Sequence, residues 1–565
     1  MSVEKKIDEE DQNEDTVESE NDVENDVENI IDNDVIREHI SLLLKNTGVK
    51  KKYRETLLSP KSMSFFFTAC THTSYDSENN LAFLHALGSA TMNQTFVSYL
   101  IETYPTFTSA QITNMKKNFF KDSPNNIAEY AKTIGIDKII MYNSKISVLT
   151  TKMIQKVFES IIGAIELIIN KEYKEGVGFI VVRKICYFIY SNIHVSNEND
   201  SITILKELYQ QQLYGHVQHV EFSKDENTNI FKIEIYDEFN SNKIMIGEGF
   251  NRQKAIAQDE ASKQALIYFL KQGKVKKEKH VYVNQIDPLS LHYAPRNEQF
   301  TSFILRLLRQ VSIVRGDIEL NRDDMEIFAK AFTHPDVNPN PTGNFEVLET
   351  LGDNLANKCV LWYLSSRFPQ LNGPYGIDIM TKMKINIIQT SGYSMIAQEL
   401  GFLPFISAKR SLGVTETKKL LEDVFEATFA AIEIVFDRKY KLGFGFVVCY
   451  RLLSLILDKK EFSINYEEIV DARTRLKETL DLFKTIKIKY DKPIKNGFEY
   501  ISSILESRFI ENTDRFTPFY KIPNSEGKGD TPQEAQENAA KNAIEYYKSF
   551  GIVKHIPNEY LKFCI

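Results

Sequence analysis

FEVLETLGDNLANKCVLWYL, residues 345–364, reads as one long helix. Val347, Leu348, Leu351 and Leu355 recur at helical spacing, and Glu346, Glu349 and Asp353 fall together on the opposite arc. Three like charges on one narrow face repel one another. Such a face is either simply solvated or organised around a shared divalent cation, which takes oxygen ligands of this kind. The helix alone leaves both readings open, and the rest of the chain has to decide.

Outward from that stretch, the chain repeats itself. VFESIIGAIELIINKEYKEGVGF from Val157 lies without a gap over VFEATFAAIEIVFDRKYKLGFGF from Val424. Upstream, ACTHTSY from Ala69 matches AFTHPDV from Ala331, and NLAFLHALGSA from Asn80 matches NFEVLETLGDN from Asn344. Three collinear matches make chance a poor explanation. In the second copy Asp423 and Glu426 sit one turn apart on the later helix. With Glu349 and Asp353 they make four carboxylates, two from each of two helices, the oxygen-rich surroundings that Mg²⁺ or Mn²⁺ requires. In the first copy Ala82, His85, Ser89 and Lys156 stand for Glu346, Glu349, Asp353 and Asp423, and only Glu159 remains opposite Glu426. Formal charge over the four core positions falls from −4 to about zero. The first copy is therefore expected to keep the fold and hold no catalytic metal.

Pattern changes divide the 565 residues. Residues 1–34 form an acidic tail with no core-forming pattern, expected to be disordered. Residues 35–195 are the first helical block. Residues 200–272 switch to an α-β-β-β-α order, with alternating strands (HVEFS, NIFKIEIYDE, KIMIGEG) before an alanine-spaced helix. A basic linker, 273–296, leads to the second helical block, 297–460. Residues 465–550 again begin and end with helices around extended material, and 551–565 form a C-terminal tail. The expected class is mainly α with α+β modules.

Composition limits what the chain can be. It is 42% hydrophobic and 26% charged, as soluble globular proteins are. No apolar run reaches membrane-spanning length, and the acidic start MSVEKKIDEEDQ does not resemble a signal peptide. The expectation is a cytoplasmic protein. The five cysteines lack CxxC spacing, which points to reduced thiols and away from a zinc site. The net charge of −8 conceals a mildly basic body: the first 34 residues hold fifteen acidic residues and two lysines, a net of −13, leaving +5 elsewhere.

THP, then NFEVLETLGD, then DVFEA, in that order and separation, make the chain resemble the ribonuclease III family. The resemblance covers both helical blocks. It implies two all-helical nuclease domains paired across a two-fold axis within one chain, each such domain of the family cutting one strand of double-stranded RNA. It implies metal binding by Glu349, Asp353, Asp423 and Glu426, with Glu346 as a supporting glutamate. Under a two-metal mechanism one cation activates the attacking water and the other stabilises the leaving 3′ oxygen, giving 5′-phosphate and 3′-hydroxyl products. Lys419 matches a lysine of Dicer-like members, with Lys152 its first-copy counterpart; it either stabilises phosphate charge or pairs with Glu422. The abundance of Asn, Ile, Lys, Phe and Tyr suggests an A+T-rich genome, such as that of a large DNA virus or a eukaryotic parasite.

The smaller segments resemble double-stranded-RNA-binding domains. In the first, Gly247 and Gly249 close a strand, Arg252 and Lys254 open the helix that would grip phosphates, and Ala257, Ala261 and Ala265 recur every four residues. In the second, Pro532 and Gln533 stand where two basic residues are expected. Its phosphate grip should be weakened, which favours a protein-contact role. The expected function is cleavage of double-stranded or hairpin RNA at a single centre, in a monomer or a homodimer. A non-catalytic RNA-binding structural protein, or one that sequesters double-stranded RNA, is the alternative.

Overall fold

The computed structural model describes residues 32–120, 126–193, 201–273, 288–311, 318–510 and 515–554, apart from positions 212, 214, 226, 227, 229, 252, 253, 389 and 498. The expected tail at 1–31, most of the basic linker and residues 555–565 lie outside the described residues. Asp32 to Asp34, read as the end of the tail, instead cap and begin the first helix, because the Asp32 carboxylate accepts from Asp34 N.

The first helical half comprises α1 (Asn33–Asn46), α2 (Lys51–Leu57), α3 (Pro60–Cys70), α4 (Ala82–Thr103), α5 (Ser109–Phe120), α6 (Ile127–Thr133), α7 (Thr151–Glu172) and α8 (Val177–Ser191). A module follows: α9 (Ser201–Gln211), β1 (His216–Asp225), β2 (Ile230–Phe239), β3 (Asn242–Asn251) and α10 (Lys254–Lys271). After the short strand β4 (Leu291–His292), the second half runs through α11 (Glu298–Leu308), α12 (Arg322–Ala331), α13 (Glu346–Arg367), α14 (Gly376–Ile388), α15 (Thr390–Glu399), β5 (Ala408–Lys409), α16 (Val414–Lys439) and α17 (Phe444–Leu457). The halves are thus not wholly helical, since β4 and β5 pair antiparallel.

In each half the long helices pack in direct backbone contact, α4 on α7 and α13 on α16. Glycine makes this possible. A Cβ on Gly352 would stand 1.8 Å from the carbonyl oxygen of Glu426, and one on Gly88 would stand 1.7 Å from that of Glu159. Any side chain there would push apart the two helices that carry the acidic residues.

The halves also share one hydrophobic core, with α4 lying against α13. Repeat-equivalent residues meet there. Phe179 and Phe446 approach with ring centroids 4.4 Å apart. Lys358, on α13, is fully buried above both rings, its Nζ 3.8 and 4.4 Å from their centroids. That Nζ donates to Glu166 Oε1 at 2.9 Å, and Thr91 Oγ1 donates to Glu166 Oε2 at 2.6 Å. The reciprocal contact is made by Gln94, which occupies the position of Lys358 and donates to Glu433 at 2.6 Å. Arg183 of the first half bonds Asp437 of the second, and Lys116 Nζ donates to Asn354 Oδ1 at 2.9 Å.

The first module forms an antiparallel β1-β2-β3 sheet covered by α9 and α10, with a core of its own that includes Leu205, Ile233, Ile235 and Phe269. The last module comprises α18 (Tyr466–Ile469), α19 (Ala472–Asp481), β6 (Ile486–Tyr490), β7 (Ile494–Asn496), β8 (Glu499–Ser502), β9 (Ile504–Ile510), β10 (Arg515–Phe516), β11 (Tyr520–Lys521), β12 (Gly527–Gly529) and α20 (Pro532–Ser549). It follows the expected α-β-β-β-α path, but every strand of the meander is broken. Pro493 separates β6 from β7, and Pro518 and Pro523 divide the third strand, since proline donates no ladder hydrogen bond. The module is tied to α14: Asn386 Nδ2 donates to Ile469 O at 2.9 Å, and Lys382 lies 3.9 Å from Glu478.

Lys358→Ala leaves Glu166 buried without its cation and is expected to destabilise the protein by roughly 3–5 kcal/mol. Lys358→Met combined with Glu166→Gln removes both charges and should recover most of that stability. Thermal unfolding of the two variants checks this; equal destabilisation in both would contradict the pairing.

Candidate active site

α13 begins where Asn344 Oδ1 accepts from Glu346 N at 2.9 Å, and α16 begins where Glu416 Oε2 accepts from Gly413 N at 2.7 Å. Their crossing at Gly352 faces Glu349 towards Asp423 and Glu426. One carboxylate oxygen from each of these three lies within 4.8 Å of the others. Glu346 is half-buried at the start of α13 and outside that trio, although its charge acts on both Glu349 and His334.

Asp353 is the fourth acidic residue, and its side chain is placed differently. It accepts from Asn357 Nδ2 at 2.8 Å and feels the ammonium groups of Lys116, Lys384 and Lys419. The structure therefore brings three of the four expected ligands into one cluster and sets Asp353 beside it. Lys419 Nζ lies 2.8 Å from Asp423 Oδ1 and 3.3 Å from Glu422 Oε2, with its side chain 57% exposed. The ammonium thus partly neutralises Asp423.

The electrostatics follow from burial and crowding. Glu426 is pushed up to about 9, first by burial and then by Asp353 and Glu349. Glu349 is pushed up to about 7 by burial and by Asp423. Burial also raises Asp353 and Asp423, against the pull of their lysines. His334, from the THP segment, is lowered by burial and lies close enough to Asp423 and Glu346 to feel both charges. An oxygen-only donor set and carboxyls that cannot ionise together without a counter-charge both fit a hard divalent cation.

The equivalent place in the first half is organised otherwise. His85 Nε2 lies 3.0 Å from Glu159 Oε2, and Gln155 Nε2 donates to Glu159 Oε1 at 2.8 Å. Both oxygens of the remaining glutamate are thus engaged, and Lys156 stands where Asp423 stands in the second half. Lys152 is exposed.

Of the residues assigned to RNA contact, Lys254 is exposed on the first turn of α10, its Nζ 3.3 Å from the Phe222 ring centroid. Arg252 lies outside the described residues. Lys116, Lys384 and Asn357 belong to none of the motifs, yet they surround Asp353. The only trace of the two lysines in the sequence is their shared place in the matching segments ITNMKKN and MTKMKIN.

Comparison with known proteins accords with this geometry. Residues 63–180 match the family model described as Ribonuclease-III-like, and residues 346–436, which hold all four acidic residues, match the Ribonuclease III domain. Two segments of the chain thus match models of the ribonuclease III family. Among relatives in that family, "Putative ribonuclease 3" of Invertebrate iridescent virus 6 is 28% identical over 300 residues, covering 50% of this chain and 98% of that protein. "Putative ribonuclease 3" of Frog virus 3 (isolate Goorha) is 37% identical over 163 residues, 28% of this chain and 43% of that protein. The crystal structure of Dicer from Giardia intestinalis overlaps 70% of this chain and 55% of its own at 12% identity, with a TM-score of 0.31.

The raised carboxyls set a pH dependence. Between the ordinary carboxyl range and about 9, the metal-free folded protein keeps a proton on Glu426 that the unfolded chain has released. This stabilising contribution is complete below the ordinary range and is lost as pH rises towards 9. Glu426→Gln, which never ionises, should therefore raise the melting temperature in EDTA near pH 9 and leave it little changed near pH 5. Equal shifts at both pH values would contradict the assignment.

Proposed function

We propose that the chain is a divalent-metal-dependent endoribonuclease that cleaves double-stranded or hairpin RNA, leaving 5′-phosphate and 3′-hydroxyl ends, with one active centre in its second half. The observation that carries this reading is the asymmetry between the halves. Glu349, Asp423 and Glu426 converge in the second half, whereas His85, Lys156 and a fully engaged Glu159 occupy the equivalent place in the first. In this reading residues 35–195 and 297–460 form an intrachain pseudodimer. The exchanged contacts Lys358 to Glu166 and Gln94 to Glu433 support it.

Glu349, Asp423 and Glu426 would hold one Mg²⁺ or Mn²⁺, and Asp353 would contribute to a second. Bound there, divalent cations supply an activated water and charge stabilisation at the leaving oxygen. Lys419 neutralises part of the acidic cluster and remains exposed enough to meet an incoming phosphate. Glu346 and His334 adjust the charge around Glu349 and Asp423.

Residues 200–272 would bind duplex RNA through Arg252 and Lys254 at the start of α10. In residues 465–550 the equivalent helix starts at Pro532 and has Glu534, not a cation, in its first turn, which supports a protein-contact role. Its ties to α14 are such a contact within the chain. No helix among the described residues is long and apolar enough to cross a membrane, and we place the activity in the cytoplasm, the host's if the chain is viral.

Incubating the full chain with a long RNA duplex, with and without Mg²⁺, followed by end-group analysis, tests the reading. Cleavage should require the metal and leave 5′-phosphates. Asp353→Asn and Glu426→Gln should each lower the rate on the order of 100-fold or more. Unchanged rates in either variant would refute the site.

A further inference from the structure

The altered site of the first half opens onto a cavity of about 540 Å³ that reaches the second half. His85, Ser89 and Lys156 line one side of it, and Asp353 and Lys384 line the other, with Lys116 between. Three ammonium groups thus face one carboxylate, Asp353, because Glu159 is already held by His85 and Gln155. Lys116 donates to the neutral Asn354, and Lys384 feels the attraction of Asp353 alone. Lys156 has no ion pair among the described residues, and its charge reaches as far as His72. If the lysines served only to neutralise Asp353, one would suffice.

We infer that this cavity binds a phosphodiester of the RNA directly through Lys156, Lys116 and Lys384, without a metal ion. The inference rests on the nuclease reading above and says what became of the first site. Lys156 occupies the position at which the other half presents Asp423. A side chain that would help to hold a cation has been replaced by one that carries the positive charge itself. A concave, partly desolvated surface with surplus positive charge concentrates anions, and lysine meets phosphate as a point charge. The carboxylate cluster that could hold a cation is missing here, since Glu159 is engaged by His85 and Gln155, so a strand held here is gripped and left whole. Lys116 and Lys384 come from equivalent positions on α5 and α14 and approach the cavity from both halves. The grip thereby sets the position of the duplex relative to Glu349, Asp423 and Glu426.

The test is binding of a short RNA duplex to the full chain in EDTA, where cleavage is suppressed, across a range of salt concentrations. Lys156→Ala should weaken binding several-fold and make the slope of log affinity against log salt shallower by about 0.9, the change expected when one phosphate is no longer neutralised. Lys156→Arg should restore both, and Lys384→Ala should repeat the weakening from the other wall. Unchanged affinity and slope in both alanine variants would overturn the inference. So would an effect of Lys156→Ala on binding of inorganic phosphate alone, with duplex affinity untouched. Cleavage by the unaltered chain in Mg²⁺ is scored separately. Its absence counts against the nuclease reading, whereas intact cleavage with an unchanged salt slope counts against this cavity alone.

Discussion

Lys358 has no contact with solvent, and its charge is satisfied from the other half of the chain by both oxygens of Glu166 and the ring of Phe179, with the ring of Phe446 from its own half beside them. Burial lowers its pKa, and Glu166 pulls it back. An ammonium buried in such a place is tolerable only while its partner is there, so the halves must meet with Lys358 and Glu166 in register. Both halves reach the shared core through the sister helices α4 and α13. Earlier along the same two helices stand His85 and Ser89 in one case, Glu349 and Asp353 in the other. The helix placement that buries Lys358 therefore also sets where the acidic residues of one half lie relative to their counterparts in the other.

The contact is not symmetric. Where the second half offers Lys358, the first offers Gln94, and the glutamate it meets, Glu433, is pushed up to about 8 by burial and by Asp437. A glutamate that burial pushes towards its neutral form meets an amide on one side of the contact, while an ionic pair occupies the other. The same drift from charge to neutrality separates the two sites. Repeat-equivalent positions have thus diverged in their polar groups while the apolar and glycine positions that set the packing have stayed alike.

Much of this was legible in the sequence. Helical spacing gave α13 and α16, and the gapless match from Val157 and Val424 gave the repeat, because long helices with one apolar stripe leave strong periodic signals. The convergence of Glu349, Asp423 and Glu426 followed from two helices crossing at a glycine. Other features were not legible. Asp353 shares the face of Glu349 but turns to Asn357 and the lysines, a rotamer and neighbour effect that spacing does not encode. Lys116 and Lys384 are ordinary lysines until the halves are assembled. The broken strands of the last module depend on where each proline falls relative to ladder hydrogen bonds, which alternation alone does not specify.

The central claim is that two scaffolds operate one cutting site, and it has a direct measurement. A duplex with its two strands carrying different labels is incubated with monomeric protein in Mg²⁺, in protein excess and for a single turnover. The account predicts that each duplex molecule loses the continuity of one strand only, with the second strand intact until a new binding event. Concerted cleavage of both strands within one encounter by a proven monomer would contradict it.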